Sequence, residues 1–299
     1  EEAKMSILIT SGRIVTAHDD YVADILVDQG AIKAIGTDLG ASGVDRTIDA
    51  AGKYLIPGGI DPHTHLDIPY AGLIAADDFY SGTVSAVAGG TTTIVDFAIQ
   101  FRGQTLSEGL ETWHQKANGK AVIDYGFQMI VTDLPEERLP DLDEIVRQGV
   151  TSFKLFMALP DFTMVSDDVI FRALVRSAGS GAMVSLHAEH GHMIDVLVKS
   201  HLAQGHTEPR YHAVTRPPAS EAEATHRGIR MAQVAGAPVY FVHLSCKEAL
   251  DEVQAARARG NYVYAETCPH YLTLDESLYA LEGLEGAKYV CAPPLREKW

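Results

Sequence analysis

The hydrophobic pattern changes character once along the chain. Before Tyr54, short β-branched and partly alternating runs occur at Ser6–Thr10, Gly12–Val15, Ala23–Asp28 and Ala31–Ile35. Turn residues separate them: Asp19-Asp20, Gln29-Gly30 and Gly36. Closely spaced strands with this punctuation predict a small all-β unit over residues 1–55. From Tyr54 on, apolar runs of a few residues recur between helical stretches. There are seven: Leu55–Ile60, Thr92–Phe97, Asp124–Ile130, Ser152–Phe156, Met183–His187, Val239–His243 and Tyr262–Glu266. Most of their starts lie about 25–35 residues apart, the period of repeated βα units around a parallel sheet.

The segments between these runs carry helix signals. Ser166-Asp167-Asp168 precedes Val169–Ser177 like an N-cap with acidic residues in the first turn. Ser245-Cys246-Lys247-Glu248 has capping-box spacing directly after a strand, and Gly89-Gly90 separates a helical stretch from the next strand as a stop. Polar residues cluster at the ends of the apolar runs. The pattern predicts an α/β fold, a TIM-type (β/α)8 barrel over residues 56–299. No G-x-G-x-x-G follows the first run, which removes the usual reason to prefer an open doubly wound sheet. A barrel of this type has eight strands and seven are found. The sequence is therefore expected to be the front part of a longer protein.

Composition narrows the function classes. With 299 residues and 46% hydrophobic content, the chain can bury one large core. The net charge of −16 argues against nucleic acid and anionic membranes as partners. No apolar stretch reaches the ~18–20 residues of a membrane span, and no charged leader precedes an apolar run at the N-terminus. The three cysteines, Cys246, Cys268 and Cys291, lack C-x-x-C spacing. They point to a reducing, cytoplasmic setting without a disulfide framework.

Four of the runs end in, or contain, candidate metal ligands. His63-Thr64-His65 follows Pro57-Gly58-Gly59-Ile60-Asp61-Pro62, and residues i and i+2 of an extended segment project to one side. His187 ends the fifth run and His243 the sixth, at the strand ends where barrel enzymes place their chemistry. Imidazole is the common ligand of zinc and related divalent ions. Lys154 sits inside the apolar run Ser152-Phe153-Lys154-Leu155-Phe156. A buried lysine has a depressed pKa, so its neutral amine is available. Such an amine can capture carbon dioxide as a carbamate, an anionic ligand with two oxygens that can bridge two ions.

This ordered set resembles the amidohydrolase superfamily. Gly58–Asp67, Thr91–Phe97, Ser152–Ala158 and His187-Ala188-Glu189 resemble its hydantoinase/dihydropyrimidinase branch. So do Tyr211-His212-Ala213 with Arg216-Pro217-Pro218, Val242-His243-Leu244-Ser245 and Pro293-Pro294-Leu295-Arg296. The resemblance implies a β-sandwich around residues 1–55, normally completed by C-terminal residues, followed by the barrel. It implies two divalent ions, zinc above all. His63 and His65 would hold the more buried ion, His187 and His243 the more exposed one, and carboxylated Lys154 would bridge them. Hydroxide held between the ions would hydrolyse a cyclic amide, such as a hydantoin or dihydropyrimidine, to an N-carbamoyl amino acid. The branch's sixth ligand, an aspartate after the eighth strand, has no counterpart here. Asp61, Asp67 and Asp96 belong to other motifs. The resemblance also implies a homo-oligomer, a tetramer.

In this branch the substrate side chain meets the loops after the first and fourth strands. Those loops hold Ile68, Tyr70, Phe156, Leu159 and Phe162, which favour an apolar ring substituent. Leu159 stands where the branch usually has a tyrosine that polarises the substrate carbonyl, and leucine cannot donate a hydrogen bond. Ala292 stands where a serine is frequent. His190 and His192 are expected to begin a helix and face solvent, and His270 to be structural. Two other readings remain. One is a sister cyclic amidase such as an allantoinase, against which Leu66-Asp67-Ile68-Pro69-Tyr70 argues. The other is a non-catalytic scaffold of the same fold, favoured by Leu159 alone.

Overall fold

A computed structural model describes residues 5–70, 72–160 and 162–298, with the side chain of Tyr70 outside that set. The first sheet is built around β1 (Ile7–Val15). β1 pairs antiparallel with β2 (Asp20–Asp28), and β2 with β3 (Ala31–Gly36). β4 (Arg46–Asp49) runs parallel to the first half of β1 and β5 (Tyr54–Leu55) to the second. The β1–β2 register slips between Ile9 and Gly12, where Ser11 takes φ 60°, and this bulge turns the second half of the strand. Gly12 lies so close to β5 that a Cβ would sit 2.3 Å from Leu55 Cδ1. This compact unit runs to Ile60 and takes in Gly89–Thr92.

The second unit holds Asp61–Ala88 and the chain from Thr93 on. Its elements alternate. β6 (Gly59–Thr64) is followed by the hairpin β7 (Pro69–Tyr70) and β8 (Leu73–Ile74), then α1 (Phe79–Ala88) and β9 (Thr91–Ile99). α2 (Leu106–Ala117), β10 (Asp124–Ile130), α3 (Pro140–Arg147), β11 (Ser152–Phe156), α4 (Asp167–Ser180) and β12 (Met183–His187) come next. α5 (Gly191–Ala203), α6 (Tyr211–Val214), α7 (Pro218–Ala235), β13 (Val239–Phe241), α8 (Lys247–Ala258), β14 (Val263–Ala265) and α9 (Pro269–Thr273) follow. Seven strands lie side by side in the order β6-β9-β10-β11-β12-β13-β14. Sequential parallel neighbours joined by helices are the TIM-barrel arrangement. All seven carboxyl ends therefore lie on one side of the sheet. Phe153, Phe241 and Trp113 are buried between the sheet and its helices. Among the described residues no helix is long and apolar enough to cross a membrane.

The predicted runs and the strands differ at their edges. Leu55 does not open the first barrel strand: it ends β5 in the small sheet. The barrel strand begins at Gly59, after the Pro57-Gly58 break, and its register carries on through His63. β13 stops at Phe241, two residues before His243, which takes φ 42° and leaves strand geometry. The capping box read at Ser245 is absent. Cys246 is the N-cap of α8, and the Ser245 hydroxyl instead donates to buried Glu221 at 2.5 Å. Ser166 is the N-cap of α4, but its hydroxyl goes to Asp168 rather than to a helix amide.

Candidate metal and substrate site

The carboxyl ends of β6, β11, β12 and β13 bring four imidazoles and one amine together. The His63 ring lies 5.2 Å from that of His65 and 5.5 Å from that of His243, and the His187 ring lies 4.6 Å from that of His243. Lys154 projects from β11 into this group and is wholly buried. Its Nζ lies 5.0 Å from the centres of both the Phe97 and Phe156 rings and has no hydrogen-bond partner. Phe97 also lies beneath His63 and His65, at 4.6 and 4.9 Å.

Burial sets the charge state of the group. It pulls the Lys154 ammonium down to about 7, with Glu266 and Cys268 opposing weakly. Burial also lowers His63, and lowers His65 and His243 well below the usual imidazole value, so these rings are neutral donors.

Two carboxylates fix the rings from behind. His63 Nδ1 meets Glu266 Oε1, and Glu266 also accepts from the Tyr240 hydroxyl at 3.0 Å. His187 Nε2 lies 2.7 Å from Glu189 Oε2. Burial, the largest single influence, pushes both carboxyls up, but their hydrogen bonds to histidine together with the neighbouring positive charges hold them below the usual value. A neutral ring donating to a carboxylate leaves its other nitrogen as a lone pair. The tautomer inferred for His63 therefore frees Nε2, and that inferred for His187 frees Nδ1.

The segment carrying His65 is pinned by Asp96 on β9. This buried carboxylate accepts from Leu66 N at 2.8 Å, the Thr64 hydroxyl at 2.7 Å and Trp113 Nε1 at 3.1 Å. Burial lifts its pKa to about 6 against those three bonds. A second buried carboxylate, Glu221, binds Arg296 at 2.7 Å, and Arg296 also reaches Ser245 Oγ and the Arg216 carbonyl. This clamp holds the Val290–Ala292 stretch, whose Cys291 carbonyl lies 2.6 Å from His212 Nε2, against the site.

These groups open into a cavity of about 460 Å³. Its walls include all four histidines, Lys154, Ile68, Phe156, Leu159 and Phe162. Tyr70 ends β7, and its side chain is outside the described residues. Leu159 takes φ 65°, an uncommon conformation for a residue with a branched side chain. His190 caps α5, accepting from Met193 N at 3.2 Å, and His192 is exposed. Neither lines the cavity. His270 does, and its buried Nε2 has no partner. Sequence reading assigned no role to Glu189, His212, Arg216 or Glu266. Their signal was position: Glu266 directly follows β14, as His243 closely follows β13.

The residues fit a two-ion centre. Among the described residues no three His, Cys, Asp or Glu side chains could hold an ion by themselves. The histidines form two pairs, and Lys154 is placed to be the donor they share. Unpartnered buried Nζ of Lys154 and Nδ1 of His243 are polar atoms that an empty protein leaves unsatisfied. Neutral imidazoles backed by carboxylates are the usual ligand arrangement around a divalent ion.

Residues 46–258 match the model of the Amidohydrolase family. The chain is 50% identical over 296 residues to a D-hydantoinase of Geobacillus stearothermophilus, covering 99% of this chain and 63% of that protein. It is 52% identical over 295 residues to a D-hydantoinase of Streptomyces coelicolor, covering 97% and 63%. The crystal structure of a dihydropyrimidinase from Brevibacillus agri superposes with a TM-score of 0.97 at 49% identity, covering 99% of this chain and 64% of that one. The chain thus spans less than two thirds of the length of these relatives.

Proposed function

Since the chain belongs to the amidohydrolase family, we propose that it forms most of a cyclic-amide hydrolase that opens hydantoin or dihydropyrimidine rings to N-carbamoyl amino acids. One observation carries this reading: the amine of Lys154 is buried, unpartnered and poised near neutrality among four histidines. A structural lysine has no reason to be there. A neutral amine can attack carbon dioxide, forming one N–C bond and releasing one proton. The resulting carbamate would satisfy the orphaned position and supply the shared anionic donor.

We assign His63 and His65 to one ion, His187 and His243 to the other, and carboxylated Lys154 to both. Two divalent ions, zinc by this donor set, would polarise a ring carbonyl and lower the pKa of a water to near neutrality. The chain's own residues do the rest. Glu266 and Glu189 hold His63 and His187 in the tautomers that present a free lone pair. Ile68, Phe156, Leu159 and Phe162 seat the ring substituent and exclude water, and Tyr70 is assigned to the same wall. Among the described residues no carboxylate lines the cavity. The resemblance assigns proton delivery to the leaving nitrogen to an aspartate after an eighth strand, a part of the relatives' length that this chain does not span. Three free cysteines support a cytoplasmic setting, and the resemblance supports a homotetramer.

The test is metal content and hydrolysis in one preparation. Full-length protein purified without chelator and with bicarbonate should carry about two metal equivalents and hydrolyse hydantoin or dihydrouracil. Lys154→Ala should hold one equivalent or none and lose activity. Full-length protein with neither metal nor hydrolysis would sink the reading and leave the scaffold alternative.

A further inference from the structure

The turn after β11 is a partition between two spaces. Leu159, Phe162 and Arg216 line the catalytic cavity on one side. On the other side the same three side chains line a cleft of about 220 Å³. The cleft continues over Ala158, Pro160, Ile194 and Val198, an apolar surface shared by the β11 turn and α5. Among its described lining residues the one acidic side chain, Asp195, accepts from Lys199 at 2.6 Å.

The partition is fixed in its backbone, and the freedom used here is that of the Leu159 side chain. The Leu159 carbonyl accepts from the amides of Phe162, Thr163 and Met164 at 3.0, 3.1 and 3.1 Å. Three bonds on one carbonyl hold the turn in place at its positive φ. Behind it, α5 approaches as closely as packing allows. A Cβ on Gly191 would lie 2.6 Å from Met164 Sδ and 2.8 Å from Ala158 Cα. Neither wall of the cleft can collapse into the other. The Leu159 side chain can still change rotamer, while the Arg216 guanidinium is held by His212 Nδ1 at 3.3 Å and by Glu189 Oε1 at 3.9 Å.

We infer that the cleft behind Leu159 is an extension of the substrate site, taking the far end of a long, uncharged alkyl substituent on the ring. The inference rests on the cyclic-amide reading above. A short substituent ends against Leu159. A long one displaces that side chain and runs on over Pro160, Ile194 and Val198.

The test uses full-length, metal-loaded protein and 5-alkyl hydantoins from methyl to hexyl. In the unmodified protein kcat/KM should rise with chain length, by up to about fourfold per buried methylene. Val198→Trp fills the cleft from α5, and Val198 is not part of the catalytic cavity wall. It should lower the hexyl-to-methyl ratio of kcat/KM at least tenfold. Leu159→Ala opens the partition and should raise that ratio. A ratio unmoved by both substitutions would overturn the inference and leave the cyclic-amide reading intact. Absence of hydrolysis even of the methyl compound would overturn both.

Discussion

Replacing Lys154 with methionine should stabilise the metal-free protein near neutral pH while removing its response to metal. Burial lowers the Lys154 pKa from its usual 10.5 to about 7. Each pKa unit is worth 1.36 kcal/mol, so the folded state carries a penalty of roughly 4–5 kcal/mol below about pH 7, where the lysine is charged in both states. The folded pKa lies below the unfolded one. The unfolded state therefore binds more protons between pH 7 and 10.5, and stability rises with pH through that window. The penalty is fully present below about pH 7 and is gone above 10.5. Methionine has a similar unbranched shape and no charge to bury. It should remove both the penalty and the slope of about 1.4 kcal/mol per pH unit. Urea unfolding of chelator-treated full-length protein, in carbon dioxide-free buffer at pH 7, 8 and 9, measures this. Adding zinc and bicarbonate at a hundredfold excess over Kd should then stabilise the unmodified protein by about 2.7 kcal/mol and leave the methionine variant unmoved. A variant with the same pH slope as the unmodified protein, or no more stable at pH 7, would refute the burial argument.

Glu266→Gln should weaken metal binding about 10–100-fold, because His63 loses the carboxylate that sets its tautomer. Competition with a chromophoric chelator reads this, and an unchanged affinity would remove Glu266 from the site. Glu221→Ala leaves the Arg296 guanidinium buried beside Ser245 without its carboxylate, and should cost about 3–5 kcal/mol in thermal or urea unfolding. Thr105→Ala breaks the capping box with Glu108 at the start of α2. It should cost about 1 kcal/mol of stability and leave metal content untouched.

The barrel was legible because strands buried on both faces read as unbroken apolar runs. A lysine inside such a run, Phe153-Lys154-Leu155, stands out against its neighbours. That the strand-end histidines would meet was legible for a topological reason. In a sheet of sequential parallel strands every carboxyl end reaches the same side, so residues 124 apart in sequence, His63 and His187, meet without any local signal joining them. The same logic failed at Leu55. An apolar run of six residues does not say which of two sheets it joins, and the break at Pro57-Gly58 divides the run between both. It also could not reach the residues behind the ligands. Glu266 stands 203 positions from His63, and no spacing rule predicts which strand-end carboxylate turns toward which ring. That depends on side-chain direction, fixed only once β13 and β14 pack, because Tyr240 on β13 gives Glu266 its second bond. Glu189, two residues beyond His187, was visible in the sequence as a motif but not as a partner. The two carboxylates bind opposite nitrogens of their histidines, Nδ1 of His63 and Nε2 of His187. The two proposed ion positions would therefore not be equivalent by symmetry. Only the lysine, in the role proposed for it, would treat both alike, and its loss should cost one ion or both.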